Sequence, residues 1–187
     1  AQLIDIKDIL SPVTQKPDPA KLIPLLKTIA NPAQDRVSYT CLNKMQFPRY
    51  QVDGEGYLVE HQYDLFNNKT VTIRYADKIT ESEQQNILAG QTLGREIDPR
   101  KDRCNRYFYD ERNQLIGEQD PAGYVTEYQR NAAGRIEETI VYATQGQVNF
   151  SAPSWDKVKP APSDKDIHTL HWYDGKKQKI AEIDGEG

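Results

Sequence analysis

One pattern constrains this chain more than any other: it repeats itself at an offset of 64 to 67 residues. Asp53-Gly54-Glu55-Gly56-Tyr57-Leu58-Val59-Glu60 returns 67 residues on as Asp120-Pro121-Ala122-Gly123-Tyr124-Val125-Thr126-Glu127, and begins again 64 further on as Asp184-Gly185-Glu186-Gly187. The register holds outside that motif. Asp35-Arg36 falls on Asp102-Arg103, and Thr72, Ile73, Tyr75 and Ala76 fall on Thr139, Ile140, Tyr142 and Ala143. Phe108-Tyr109-Asp110 falls on Trp172-Tyr173-Asp174, with Gln114, Ile116 and Glu118 on Gln178, Ile180 and Glu182. The stretches 78–101 and 144–165 share little and read as insertions. A repeat of this length is one supersecondary unit that cannot bury its apolar face alone, so neighbouring units must stack. Such chains are scaffolds or surfaces first. An end inside a repeat motif implies a piece of a longer polypeptide.

The stacked units are β-rich. Short runs with period-two alternation lie about ten residues apart, separated by Gly, Asn and Asp. Strands are expected at Tyr57–Tyr63, Thr70–Tyr75, Tyr107–Asp110, Gln114–Glu118, Tyr124–Gln129 and Glu137–Tyr142. The turns between them are Glu111-Arg112-Asn113, Asn131-Ala132-Ala133-Gly134 and the Asp-x-x-Gly elements, where Asp bonds its own backbone and Gly supplies a positive φ. Only 37% of the residues are apolar, yet there are 11 tyrosines. Tyr has an apolar body and a hydroxyl that stays wet, which suits half-buried strands. The expected fold is therefore mainly β: tandem antiparallel hairpins in a curved or spiralling sheet.

Two regions differ. In residues 1–34, Asp18 and Pro19 open a helical pattern of Leu22, Ile23, Leu25, Leu26 and Ile29 that Asn31-Pro32 stops, giving a short helix at about 19–30. Ser82–Leu88 reads as a helical turn or two ending near Gly90, and Phe150–Lys165, with Pro153, Pro160 and Pro162, reads as a loop. The organisation expected is an N-terminal segment, 1–34, and a repeat array, 35–187, with units at about 35–101, 102–165 and 166–187, the last truncated.

Within the array, Tyr107-Phe108-Tyr109-Asp110 through Gly123-Tyr124-Val125-Thr126-Glu127-Tyr128, and again Trp172-Tyr173-Asp174 through Gly187, resemble the YD repeat of the RHS (rearrangement hotspot) family. Tyr63-Asp64 fits the same pattern, whereas Arg130-Asn131 and Leu42-Asn43 depart from it. The resemblance implies a structural role. RHS proteins are large bacterial proteins whose hairpins spiral into a hollow shell, which in toxins encloses a variable C-terminal effector. It therefore implies a secreted or cell-surface location, with partners in the rest of the same polypeptide or an enclosed toxin domain. The family's aspartyl autoprotease region has no counterpart here.

The chemistry-bearing residues give little else. The net charge of −4 comes from interleaved acids and bases, which argues against nucleic acid. No apolar run is long enough to span a membrane, and there is no basic-then-apolar leader. Cys41 and Cys104 occupy different repeat positions and are buried thiols or a single bridge. On a strand, His168 and His171 point to opposite faces, which disfavours joint metal ligation. Asp53/Glu55 and Asp184/Glu186 read as turns rather than calcium ligands. No catalytic residues, metal ligands or cofactor are indicated, and the chain reads as non-catalytic. The candidate binding residues are the aromatics Tyr57, Tyr63, Tyr109, Tyr124, Tyr128, Trp172 and Tyr173, which would serve the alternative role of a cell-surface carbohydrate- or protein-binding module. In-register stacking would pair Phe108 with Trp172, Tyr109 with Tyr173 and Tyr75 with Tyr142. Open sheet edges would invite self-association unless residues 1–30 cover one.

Overall fold

The computed structural model describes residues 36–147 and 154–185. The chain divides into two bodies, 1–37 and 38–187, and the helix expected at 19–30 lies outside the described residues. Among the described residues, the second body forms a single antiparallel sheet of ten strands: β1 Tyr39–Leu42, β2 Pro48–Val52, β3 Leu58–Tyr63, β4 Lys69–Arg74, β5 Arg103–Tyr109, β6 Leu115–Gln119, β7 Val125–Arg130, β8 Ile136–Val141, β9 Ile167–Tyr173 and β10 Lys179–Ile183. Spatial order equals sequence order throughout, and the sheet does not close. Two helices interrupt it, α1 Glu81–Leu88 between β4 and β5, and α2 Trp155–Val158 between β8 and β9.

One turn design makes seven of the nine strand connections. In each, an Asp or Asn begins the turn: Asn43, Asp53, Asp64, Asp110, Asp120, Asn131 and Asp174. Its side-chain Oδ1 accepts the N–H groups two and four residues on, at 2.8–3.1 Å. The backbone N–H three residues on returns to the carbonyl of the same Asp or Asn. The residue three after it has a positive φ in every case: Gln46, Gly56, Asn67, Asn113, Gly123, Gly134 and Lys177. This is the three-residue hairpin loop, a type I turn followed by a left-handed residue. Glycine adopts that conformation without cost, which is why the Asp-x-x-Gly copies stand out in the sequence.

The turns sort into two rims. The turns at 43–47, 64–68, 110–114, 131–135 and 174–178 lie at one end of the strands. The Asp53 and Asp120 turns lie at the other end, together with both helix-bearing insertions. The insertions are anchored alike. The Ala76 N–H donates to Asp102 Oδ1 and that of Ala143 to Asp166 Oδ1, each at 2.8 Å. The Ile79 N–H donates to the Gly56 carbonyl and that of Gly146 to the Gly123 carbonyl, each at 2.9 Å. The run from Tyr75 to Asp102 is three residues longer than that from Tyr142 to Asp166, which is the whole difference between the offsets of 67 and 64.

Each insertion closes a core against one face of the sheet. In the first repeat, Tyr50, Val52, Leu58, Ile73 and Cys104 from the strands, with Tyr75 just after β4, meet Ile87 of α1 and Leu93. α1 starts at Thr80 with a reciprocal cap: Thr80 accepts the Glu83 N–H, and Glu83 accepts that of Thr80. In the second repeat, Val125, Ile140 and Tyr142 meet Val158, with Phe108 and Trp155 packed around them. The two cores exchange the origin of one aromatic ring. At the first, Tyr50 of the sheet reaches out, and its hydroxyl accepts the Leu93 N–H at 3.0 Å. The equivalent position in the second is Gly117, and Trp155 of α2 comes down onto it; a Cβ there would lie 2.3 Å from the indole.

Three expectations need correction. Residues 150–165 do not form a loop throughout: 154–158 include α2, whose Val158 is fully buried, while 150–153 lie outside the described residues. β1 and β2, which the alternation did not single out, complete the first repeat. The aromatic ladder does not form. The ring contacts are Phe47–Tyr63 and Phe108–Trp155, and Tyr75 and Tyr142 sit in separate cores.

Candidate functional site

Four of the five residues that precede an Asp or Asn on the five-turn rim share a task. Leu42, Tyr63, Tyr109, Arg130 and Tyr173 pair across their hairpins with Pro48, Lys69, Leu115, Ile136 and Lys179, at a register shift in every hairpin. From there the last four side chains reach back to the preceding hairpin and satisfy the carbonyl that begins its second strand, whereas Leu42, on β1, carries no donor. The Tyr63 hydroxyl donates to Pro48 O at 2.8 Å, Tyr109 to Lys69 O at 3.1 Å and Tyr173 to Ile136 O at 3.0 Å. Where Arg130 stands in place of tyrosine, its guanidinium donates to Leu115 O at 3.0 Å through Nη2. A strand-end carbonyl left unpaired in a half-buried rim is costly. The Tyr-Asp pair thus does two jobs: Asp folds its own turn, and Tyr bonds that hairpin to the previous one. Arg130 preserves the job with different chemistry, so the sequence departure at Arg130-Asn131 is a functional equivalence.

The seven candidate aromatics divide accordingly. Tyr63, Tyr109 and Tyr173 hold the rim, with the Arg135 guanidinium 5.3 Å from the Tyr173 ring centre. Tyr128 donates to Glu118 Oε1 at 2.8 Å, and burial and that carboxylate push its hydroxyl up to about 12. Tyr57, Tyr124 and Trp172 are exposed, at 38%, 44% and 42%. Tyr57 and Tyr124 are repeat equivalents that follow the Asp53 and Asp120 turns, on the rim opposite the one beside Trp172. The Lys78 ammonium stands 5.2 Å from the Tyr57 ring centre.

Sequence reasoning missed the polar groups in the cores. Glu60 and Glu127 are 7% and 8% exposed and face inward, where alternation suggests apolar residues. Each accepts a tyrosine hydroxyl on Oε2: Tyr75 at 2.8 Å and Tyr142 at 2.6 Å. Burial, then the adjacent carboxylate, raises both hydroxyls far above the ordinary tyrosine value, so both are donors at any physiological pH. Arg106 and Gln119 lie on the same buried face and bond at 3.2 Å. The exact recurrence of Glu60 at Glu127 and of Tyr75 at Tyr142 was the available signal.

His168 and His171 lie on opposite faces of β9. His168 is bonded to Glu138 at 2.8 Å and His171 to Thr139 at 3.0 Å. His61 bridges Thr72 and Gln51, both at 3.1 Å. Cys41 and Cys104 are free thiols, and burial pushes both up and away from reactivity. No described helix is long and apolar enough to cross a membrane.

The family model described as RHS Repeat matches residues 109–148, from Tyr109 through β8 and into the second insertion. No curated protein matches the chain. Among solved structures, one described as the crystal structure of TcdB2-TccC3-Cdc42 is similar over 78% of this chain, at 19% identity and a TM-score of 0.34. The matched part spans 7% of that chain.

Proposed function

We propose that this chain, an RHS/YD-repeat protein, is a non-catalytic segment of a shell or scaffold, part of a secreted or delivered bacterial protein that encloses a C-terminal effector. One observation carries the reading: seven turns of one design and a rim of side-chain bonds join successive hairpins into a sheet of ten strands in sequence order. These residues are spent on holding a wall together. The partners in this reading are the remainder of the same polypeptide and the enclosed domain. The division into an N-terminal segment, 1–34, and units at about 35–101, 102–165 and 166–187 belongs to the same proposal.

The test is protease protection of the native gene product purified from its source. A shell predicts that limited proteolysis leaves a C-terminal domain intact while the shell is folded, and digests it once the shell is denatured. Digestion of every downstream segment at the same rate in the folded protein would overturn the proposal. A second reading rests on the exposure of the equivalent tyrosines Tyr57 and Tyr124, with Trp172 on the opposite side: a surface that holds a glycan or a cell-surface protein. Saturable binding on a glycan array, lost in Tyr57→Ala/Tyr124→Ala, would favour it; no binding, or binding that survives the double variant, would remove it.

A further inference from the structure

The two repeats place the same carboxylate in the same core, and they finish it differently. In the second repeat, Glu127 Oε2 takes the Tyr142 hydroxyl, and Oε1 takes the Lys159 ammonium at 2.7 Å. Lys159 comes from the insertion, directly after α2. In the first repeat, Glu60 Oε2 takes the Tyr75 hydroxyl in the same way, but Oε1 meets only the Gln62 amide, at 3.4 Å. No ion pair to Glu60 is formed among the described residues. A carboxylate this buried is costly unless paired and hydrogen-bonded.

Glu60 lines a cavity of about 450 Å³ between the sheet and the first insertion. That is within the size range of small-molecule sites. Its wall holds acidic and basic groups together: Glu60 on the sheet, Arg49 on β2 and Arg95 on the insertion. Arg95 is held in place by its Nη2 bond to the Asp77 carbonyl at 3.0 Å and by the Tyr75 ring 4.8 Å beneath its guanidinium. Its Nη1 is buried and has no hydrogen-bond acceptor; the nearest carboxylate oxygen, on Glu83, is 3.8 Å away. Arg49 is braced by Thr92, also in the wall, at 3.0 Å. The cavity therefore sets an under-used carboxylate oxygen on Glu60 in the same wall as the Arg49 and Arg95 side chains.

We infer that this cavity binds a small zwitterion, a free α-amino acid. Its ammonium takes the place at Glu60 that Lys159 takes at Glu127, and its carboxylate meets Arg95 and Arg49. The sister repeat supplies the precedent for the ammonium, since the protein itself puts one there. The two arginines exclude a plain cation as the preferred occupant, because an unaccompanied positive charge would be repelled. The inference is independent of the shell reading, as a wall segment with or without a shell carries the same cavity.

The experiment is calorimetric titration of the purified chain with L-leucine and L-lysine, beside N-acetyl-L-leucine, which lacks the ammonium, and cadaverine, which lacks the carboxylate. The expected result is saturable binding of at least one amino acid at one site per chain, in the millimolar range or tighter. The N-acetyl compound and the diamine bind at least about tenfold more weakly, the loss of one charge-assisted hydrogen bond. Glu60→Gln and Arg95→Met each weaken the amino acid by a similar factor, while Leu65→Ser, on an exposed turn, leaves it unchanged. Should Glu60→Gln fail to fold, Thr92→Lys provides the second arm: an ammonium in the cavity wall occupies the site, abolishes binding and raises the melting temperature. No saturable binding of either amino acid overturns the inference. So does equal binding of the N-acetyl compound, or binding untouched by Arg95→Met and Thr92→Lys.

Discussion

At the scale of single residues, the Tyr-Asp pair is a division of labour that can be tested atom by atom. Asp110 accepts the Arg112 and Gln114 N–H groups, both at 2.8 Å. Asp110→Ala should cost about 1–2 kcal/mol in urea denaturation, and Asp110→Asn far less, because Asn43 and Asn131 fold the same turn with an amide oxygen. Tyr109→Phe keeps the ring and removes only the bond to Lys69 O, so the same assay should read a loss of about 1 kcal/mol. His61 supplies a pH dependence. Burial first, then Lys69 and Arg74, lowers its pKa below the ordinary 6.5. The unfolded chain then takes up the proton first as pH falls, so stability is full above about pH 6.5 and declines below it, until the folded state is protonated too. Melting temperatures from pH 8 to pH 5 should show that decline, and His61→Gln should reduce its slope.

At the scale of elements, hairpins and insertions differ in how much of them the sequence discloses. β3 to β8 were legible because Asp, Asn and Gly mark their turns, and these marks act locally. β1 and β2 were not, since Leu42-Asn43 and Gln46 carry out the same turn in unmarked residues. The aromatic ladder misread the spacing of the repeats: Tyr109 on β5 and Tyr173 on β9 are four strands apart, too far for their rings to touch at about 4.8 Å per strand. The inward carboxylates Glu60 and Glu127 hid the buried face, since their partners Tyr75 and Tyr142 lie 15 residues on. α2 was hidden for a similar reason: its Trp155 is held by Gly117, far away in sequence, and local proline content says nothing of that. This pairing makes a specific prediction. Gly117→Ala places a methyl 2.3 Å from the indole and should destabilise by about 1–3 kcal/mol. In a Trp155→Leu background the added methyl should cost much less, and a double-mutant cycle measures the coupling.

For the whole molecule, an open sheet of sequential hairpins has a consequence for association. Among the described residues, β10 has a hydrogen-bonded neighbour on one side only, and its Ile180 and Ile183 are 65% and 52% exposed. Such an edge templates pairing with another chain. Sedimentation velocity should find dimers or larger species, and Ile180→Lys/Ile183→Lys should shift them towards monomer; a wild-type chain that remains monomeric at high concentration contradicts this. The opposed rims carry a further consequence. All four side-chain bonds from one hairpin's rim to the previous hairpin stand on one rim, and the three-residue difference between the repeats is taken up entirely on the other. The fold thus has a fixed gauge and an adjustable margin. Loops can be lengthened, shortened or replaced along that margin while strand spacing and register stay as they are, so new surface chemistry can be added to this architecture without re-solving its folding problem.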